Sequence, residues 1–169
     1  MRLLLSFQRI AVALVLALAG LATVDLTASP VRTSASAAGS GVRSVVSSYD
    51  SQVLKLTNQA RVRHGLRPLM HGSCIDRKAE TWSRTMAARN MFRHQSAWGI
   101  LRACDRRTAG ENIAMSGGRT MTPATVVRMW MKSPGHRANI LNKRYRTMGL
   151  GAWTSVSSGR MYVAQTFGG

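Results

Sequence analysis

Acidic residues are scarce in this chain: its 169 residues include 6 Asp and Glu against 24 Lys and Arg, which leaves a formal net charge of +18. Only 4 residues are Pro, glycine shows no regular period, and no further apolar stretch of the roughly 20 residues that span a bilayer follows the N-terminal region. These absences exclude disordered, collagen-like and multi-spanning membrane classes. An apolar content of 45% over this length predicts one domain with one hydrophobic core.

The N-terminal region has the pattern of a secretory signal peptide. Arg2 and Arg9 give it a basic start, residues 10–24 are uncharged and largely apolar, and small residues follow up to Ala37. We therefore interpret residues 1–38 as a signal peptide and expect a protein that is secreted, extracellular or cell-wall associated, with no transmembrane helix after cleavage. Retention of the segment as a membrane anchor is the alternative.

The basic excess belongs to the segment that remains after cleavage, because residues 39–169 carry 21 basic and 5 acidic side chains, or +16. For an exported protein this charge favours anionic envelope polymers as partners. We expect no specific nucleic acid, because basic residues do not alternate with aromatic ones in a cluster. We nevertheless prefer the simpler interpretation that the arginines lie singly on solvated helix faces, as at Arg61, Arg63, Arg67, Arg77, Arg84, Arg89 and Arg93.

Cysteine occurs only twice, at Cys74 and Cys104. In an oxidising compartment such a pair is expected to form a disulfide, which would stabilise the fold by about 3–4 kcal/mol in the chain-entropy model. A zinc site is the weaker interpretation, because the two residues lack the close spacing of structural zinc ligands.

Apolar periodicity predicts two helices in the first half of the domain. Residues 39–48 are small, polar and without helical period, so we interpret them as a linker and residues 49–169 as the domain. Two apolar stripes with steps of three and four residues then predict helices that pack against each other, the second capped by Ser73. The stripes consist of Tyr49, Val53, Leu56 and Ala60, and of Ile75, Ala79, Trp82 and Met86.

The second half of the domain combines loops, helices and strands. Residues 93–118 lack periodicity and predict a loop with a short strand or turn at 111–115. Thr122-Pro123 and Ser133-Pro134 each mark the start of a helix, and alternation on either side of a turn at 157–159 predicts a C-terminal β-hairpin. These elements predict an α+β domain in which helices cover a small sheet.

Four motifs resemble the CAP superfamily, the SCP domain of cysteine-rich secretory proteins, antigen-five-like allergens and plant pathogenesis-related proteins, in its bacterial secreted form. The resemblance covers residues 49–169 and implies an α-β-α sandwich with a small, mainly antiparallel sheet. In chain order the motifs are Leu56-Thr57-Asn58-Gln59-Ala60-Arg61, Phe92-Arg93-His94, Gly110-Glu111-Asn112-Ile113, and the segment from Trp130 to Leu141.

The resemblance also implies a central cleft lined by two histidines and commonly two acidic residues. His94, Glu111 and His136 match three of these positions. The second acidic position is occupied by Ser133, so Asp105 or a water would have to supply a fourth polar group.

Two imidazoles and a carboxylate are ligand types that zinc prefers, so His94, His136 and Glu111 are candidate metal ligands. The alternative is that the histidines hydrogen-bond Glu111 and backbone groups and only hold the loops in place. We expect His136 to favour the neutral imidazole, because it would lie in the first turn of a helix. His64 and His71 are expected at the surface.

Three functional hypotheses follow. The first is a monomeric ligand-binding module for a lipid or another small apolar ligand, and the second is a metal-dependent hydrolase of envelope or peptide substrates. The third is an adhesive domain for anionic wall polymers. A serine hydrolase is disfavoured because no GxSxG motif is present, and the sequence assigns no catalytic residue.

Overall fold

The computed structural model describes the backbone of residues 38–169 and the side chains of residues 48–169. The predicted signal peptide, apart from Ala38, lies outside this part. No helix in the described part is both long enough and apolar enough to cross a membrane. In chain order the elements are α1 (Ala38–Arg63), β1 (Met70–His71), α2 (Ser73–Arg89), α3 (Ala97–Cys104), β2 (Ala109–Met115), α4 (Pro123–Lys132), α5 (Pro134–Ile140), β3 (Thr147–Thr154) and β4 (Met161–Gly168).

The strands form one sheet in the order β1-β3-β4-β2. β3 and β4 form the predicted antiparallel hairpin, and β2 pairs with β4 on its other side, also antiparallel. The short β1 pairs parallel to β3 at the edge. The mainly antiparallel sheet is therefore confirmed.

Helices cover both faces of the sheet, which confirms the α-β-α sandwich. Val163 and Phe167 of β4 pack into a core shared with α1, α4 and α5, whereas Tyr162 and Ala164 pack against α2. Successive side chains of a strand point to opposite faces, so β4 is buried on both sides.

The expectation that α2 packs against α1 is wrong. Three residues of the predicted stripe, Ile75, Ala79 and Met86, are buried and Trp82 is partly buried, but α2 lies mainly on β3 and β4. Periodicity identifies the apolar face of a helix and carries no information about which surface covers that face.

The N-terminal ends of α1 and α2 also differ from expectation. The backbone of residues 39–48 is helical and forms the first part of α1, although these residues show no apolar period. Gly72 rather than Ser73 is the N-cap residue of α2, and Ser73 is its first helical residue.

Helix α3 lies in the segment for which we expected mostly loop. Ser96 caps it by accepting a hydrogen bond from the Gly99 amide at 3.2 Å. The helix has only 8 residues, too few for a clear helical period. Its last residue, Cys104, forms the predicted disulfide with Cys74 of α2, with Cα atoms 5.6 Å apart.

Candidate functional site

Glu111 and His94 form the centre of the predicted cluster. Glu111 lies on β2, and its side chain is 5% exposed. His94 lies in the loop between α2 and α3, is 58% exposed, and its Nδ1 is 2.8 Å from Oε1 of Glu111. When Nδ1 carries the proton that bonds the carboxylate, Nε2 of the neutral ring is left as an acceptor.

Gln95 completes the surroundings of the Glu111 carboxylate. Its backbone amide donates to Oε1 at 3.1 Å, and its side-chain Nε2 donates to Oε2 at 2.6 Å and to Oγ1 of Thr166 at 3.3 Å. Gln95 is not among the residues predicted from the sequence, where its position directly after His94 is the only local signal. Both carboxylate oxygens are therefore engaged by neighbouring donors.

Burial and hydrogen bonding act in opposite directions on Glu111. Burial raises the pKa of its carboxyl group, and the hydrogen bonds from Gln95 and His94 oppose this change. The loop that carries His94 and Gln95 is therefore connected to β2 through a buried carboxylate whose charged form is stabilised by these hydrogen bonds.

His136 lies in the first turn of α5 and is half-buried. Burial and the charge of nearby His94 lower the pKa of its imidazole. The direction agrees with the expected neutral form, although burial rather than the helix terminus is the main cause. The two imidazoles are therefore close enough for their charges to interact.

A buried amide network underlies the cluster. Asn112 of β2 donates through Nδ2 to the carbonyl oxygen of His136 at 3.1 Å and to Oε1 of Gln165 at 3.0 Å. Gln165 on β4 donates to Oγ1 of Thr57 on α1 at 2.9 Å, and Asn139 of α5 donates to the carbonyl oxygen of Glu111 at 3.0 Å. The network therefore fixes α5, which carries His136, relative to the strand that carries Glu111.

The described side chains do not form a preassembled three-ligand zinc site. In the part of the chain that the structure describes, no group of three or more His, Cys, Asp or Glu side chains is placed to hold a metal ion, whereas catalytic zinc sites use three protein ligands. Glu111 instead has the position of a carboxylate that orients a histidine. Zinc binding by His94, His136 and Glu111 stays a prediction.

Other polar candidates from the sequence have local structural roles. Ser133 is the N-cap residue of α5, and Asp105 is the exposed C-cap residue of α3. His64 and His71 are exposed, as expected; Nδ1 of His64 lies 2.8 Å from the Ala60 carbonyl oxygen, and Nε2 of His71 lies 3.1 Å from Oδ1 of Asp76.

The surface between α1 and α4 contains an apolar groove with basic edges. It consists of two adjoining pockets of about 320 and 350 Å³ that share Leu56 and Ala124. The apolar lining includes Ala60, Val127 and Met131. The lining side chains include four cations, and the described lining residues include no acidic side chain; the cations are Lys55, Arg63, Arg128 and Lys132.

A profile of the CAP family, described as the cysteine-rich secretory protein family, matches residues 54–167. The chain is 38% identical over 136 residues to the uncharacterised protein YkwD of Bacillus subtilis, a match that covers 74% of this chain and 49% of YkwD. The chain therefore spans about half the length of this curated relative.

Solved structures show the same fold. An extracellular protein of Bacillus anthracis that contains an SCP domain has a TM-score of 0.63 at 26% identity, covering 75% of this chain and 42% of that protein. A cysteine-rich secretory protein from Staphylococcus aureus has a TM-score of 0.59 at 22% identity, covering 72% and 38%.

Proposed function

Because this chain belongs to the CAP, or cysteine-rich secretory protein, family, we propose that it is a binding module for an amphiphilic lipid. The apolar part of the ligand lies in the groove between α1 and α4, and its anionic head contacts the basic edge. The groove itself is the observation that carries this proposal, because it joins an apolar lining to cations at its edges.

The lining supports an apolar ligand of elongated shape. Leu56 and Met131 are only partly buried although they pack on the main core, so apolar surface stays open between the two helices. The adjoining volumes of about 320 and 350 Å³ fall in the range of small-molecule pockets. Met131 adds a side chain that adapts readily to the shape of a ligand.

The charges support an anionic head group. Arg63, Arg128 and Lys132 line the groove, and no acidic residue is among its described lining residues. A carboxylate or phosphate at the edge would thus meet cations, while its chain displaces water from apolar surface.

A groove-filling variant tests the proposal. Protein expressed from the full-length chain is titrated with palmitate, with phosphatidylglycerol and with cholesterol, and binding is followed by native mass spectrometry and by displacement of a fluorescent fatty acid. Ala124→Trp fills the groove at an exposed position and should weaken binding of the anionic amphiphiles by about tenfold or more.

The matched control is Ala138→Trp, at an exposed position of α5 that does not line the groove. Its affinity should stay within about twofold of the unsubstituted protein. No saturable binding of palmitate or phosphatidylglycerol, or an equal loss in both variants, contradicts the proposal.

A second candidate function is hydrolysis of an envelope or peptide substrate, and the hydrogen bond between His94 and Glu111 favours it. A buried carboxylate that holds one ring nitrogen leaves the exposed ring with a nitrogen able to accept a proton. His94→Ala should then abolish turnover of peptidoglycan or a peptide library, whereas His64→Ala should not. Assays with zinc and with a chelator test for metal dependence; unchanged turnover in His94→Ala contradicts this candidate.

A further inference from the structure

A strongly basic pocket lies where the C-terminal end of α1 meets the segment that leads from α5 into β3. Its volume is about 440 Å³. Five of its seven described lining residues carry a positive charge, and none carries a negative one. The lining residues are Arg61, Gly65, Leu66, Arg67, Lys143, Arg144 and Arg146.

Arg61 forms the buried part of this pocket. The residue is 0% exposed. Its Nε donates to the carbonyl oxygen of Arg67 at 2.9 Å, and its Nη1 donates to the carbonyl oxygens of Ile140 at 2.6 Å and Asn142 at 3.0 Å. Nη2 is also buried but has no hydrogen-bond partner. A buried guanidinium with an unused donor is costly unless another group satisfies it.

The other cations are arranged around this guanidinium. Arg67 and Arg144 are exposed, whereas Arg146 is half-buried and donates through Nη1 to the carbonyl oxygens of Lys143 at 2.6 Å and Tyr145 at 3.0 Å. None of the ion pairs found among the described side chains involves a residue of this pocket. Burial and the charges of Arg146 and Arg67 lower the pKa of Arg61, so the cations are close enough to repel one another.

We propose that this pocket binds a phosphate group through Arg67, Lys143, Arg144 and Arg146, with the buried guanidinium of Arg61 adding positive charge at the base of the pocket. A phosphate group presents several acceptor oxygens, and guanidinium groups bind such oxyanions through paired N–H donors. A phosphate monoester carries about 1.5 to 2 negative charges at neutral pH, and a phosphodiester chain carries one on each successive phosphate. A single carboxylate would neutralise only one of the five cations. The phosphate belongs either to a small phosphate ester or to the backbone of a phosphodiester polymer.

This site is independent of the proposed lipid groove. The described residues that line the two share no member, because Arg63 faces the groove and Arg61 the basic pocket. Loss of phosphate binding and loss of lipid binding are therefore separate outcomes.

The test follows backbone amide signals of protein expressed from the full-length chain by NMR, in about 0.15 M NaCl so that weak surface attraction is screened. The probes are inorganic phosphate, poly(glycerol phosphate) and acetate. Phosphate and the polymer should shift the amides of residues 65–67 and 143–146 saturably, and acetate at equal ionic strength should not.

A charge-matched pair of variants separates a site from general attraction. Arg67→Gln/Arg144→Gln removes two exposed cations of the pocket, and Arg77→Gln/Arg89→Gln removes two exposed cations of α2. The first should weaken phosphate binding by about tenfold or more, and the second by less than about twofold. Thermal unfolding of both variants verifies that they are folded.

Either phosphate source supports the proposal, and the probes distinguish them. Binding that is tighter per phosphate for the polymer indicates a phosphodiester chain, whereas equal binding indicates a small phosphate ester. The proposal is overturned if both variants lose phosphate binding equally, if acetate causes equal shifts, or if the pocket amides show no saturable shift.

Discussion

At the scale of single residues, Arg61 shows that the charge of a side chain does not by itself predict whether the residue is exposed or buried. It was expected on a solvated helix face together with six other arginines, but it is fully buried. Its hydrogen bonds join the end of α1 to the carbonyl groups of Arg67, Ile140 and Asn142. The sequence could not predict this burial, because two of the three carbonyl groups that accept from Arg61 belong to Ile140 and Asn142, 79 and 81 residues away in the chain.

We therefore expect Arg61→Ala to lower the free energy of unfolding by about 3 kcal/mol or more, because it leaves buried carbonyl groups without donors and opens a cavity. Urea denaturation measures the change. Arg63→Ala, at an exposed position two residues further along α1, should change the value by no more than about 0.5 kcal/mol. Equal effects of the two substitutions would refute the structural role of Arg61.

The histidine pair leads to a prediction about pH. Burial and the charge of His94 lower the pKa of His136 from its usual value of 6.5. The unfolded chain therefore takes up the proton at a higher pH than the folded chain does. The contribution of His136 to stability is present above pH 6.5 and is lost as the pH falls from there through the lower pKa of the folded state.

An NMR titration of the ring signals should give a pKa for His136 below 6.5. His94→Asn should raise that pKa part of the way, because burial remains while the neighbouring charge is removed. His71→Asn serves as the control and should leave it unchanged. A pKa at or above 6.5, or no response to His94→Asn, speaks against the proximity of the two rings.

At the scale of elements, the contact between α2 and β3 depends on glycine. A Cβ atom at Gly149 would overlap the backbone of Asp76, and one at Gly151 would overlap the backbone of Ala79 and Glu80. The helix axis can approach the strand this closely only because these positions lack side chains. The alternation Met148, Gly149, Leu150, Gly151 therefore reflects both the strand and the close packing of α2 against it.

Gly149→Ala should consequently destabilise the protein by about 3 kcal/mol or more, because backbone rather than a flexible side chain would have to move. Gly135→Ala is the matched control, since a Cβ there meets nothing within 4 Å and the residue lies in α5. It should be neutral or stabilising by about 0.5 kcal/mol. Thermal and urea unfolding measure both, and a tolerated Gly149→Ala would contradict the close approach.

The elements differ in how far the sequence predicts them. Thr122 caps α4 as expected, accepting from the Thr125 amide at 3.2 Å, and Pro123 is the first helical residue. Such capping signals involve only neighbouring residues, so they can be recognised in the sequence. The pairing of β2 with β4 brings Glu111 opposite Thr166 and Asn112 opposite Gln165. No local pattern contains that information.

At the scale of the whole molecule, the charge balance affects stability. Residues 39–169 carry +16, from 21 basic and 5 acidic side chains. Folding brings these charges closer together, so the compact state is opposed by their mutual repulsion. Salt weakens this repulsion as the Debye length falls from about 30 Å at 0.01 M to about 3 Å at 1 M.

The thermal midpoint should therefore rise by about 3–5 °C between these salt concentrations, which corresponds to about 1 kcal/mol for a domain of this size. Differential scanning calorimetry measures the shift. Arg77→Glu/Arg89→Glu lowers the net charge by four and should give a shallower rise. A thermal midpoint of the unsubstituted protein that stays constant or falls with rising salt would contradict the prediction.

The sequence by itself determined the local features: the apolar faces of α1 and α2, the starts of α4 and α5, the C-terminal hairpin, and a disulfide between the only two cysteines. These follow from periodicity, capping and turn chemistry, which act over a few neighbouring residues. The motifs were sufficient to identify the family.

Only the tertiary structure decided which surfaces meet. It placed α2 on the sheet, engaged Glu111 with His94 and Gln95, buried Arg61, and formed the groove and the basic pocket. Each of these joins residues far apart in the chain. Their neighbours are selected by packing and by the satisfaction of buried polar groups over the whole domain, which no short stretch of sequence encodes.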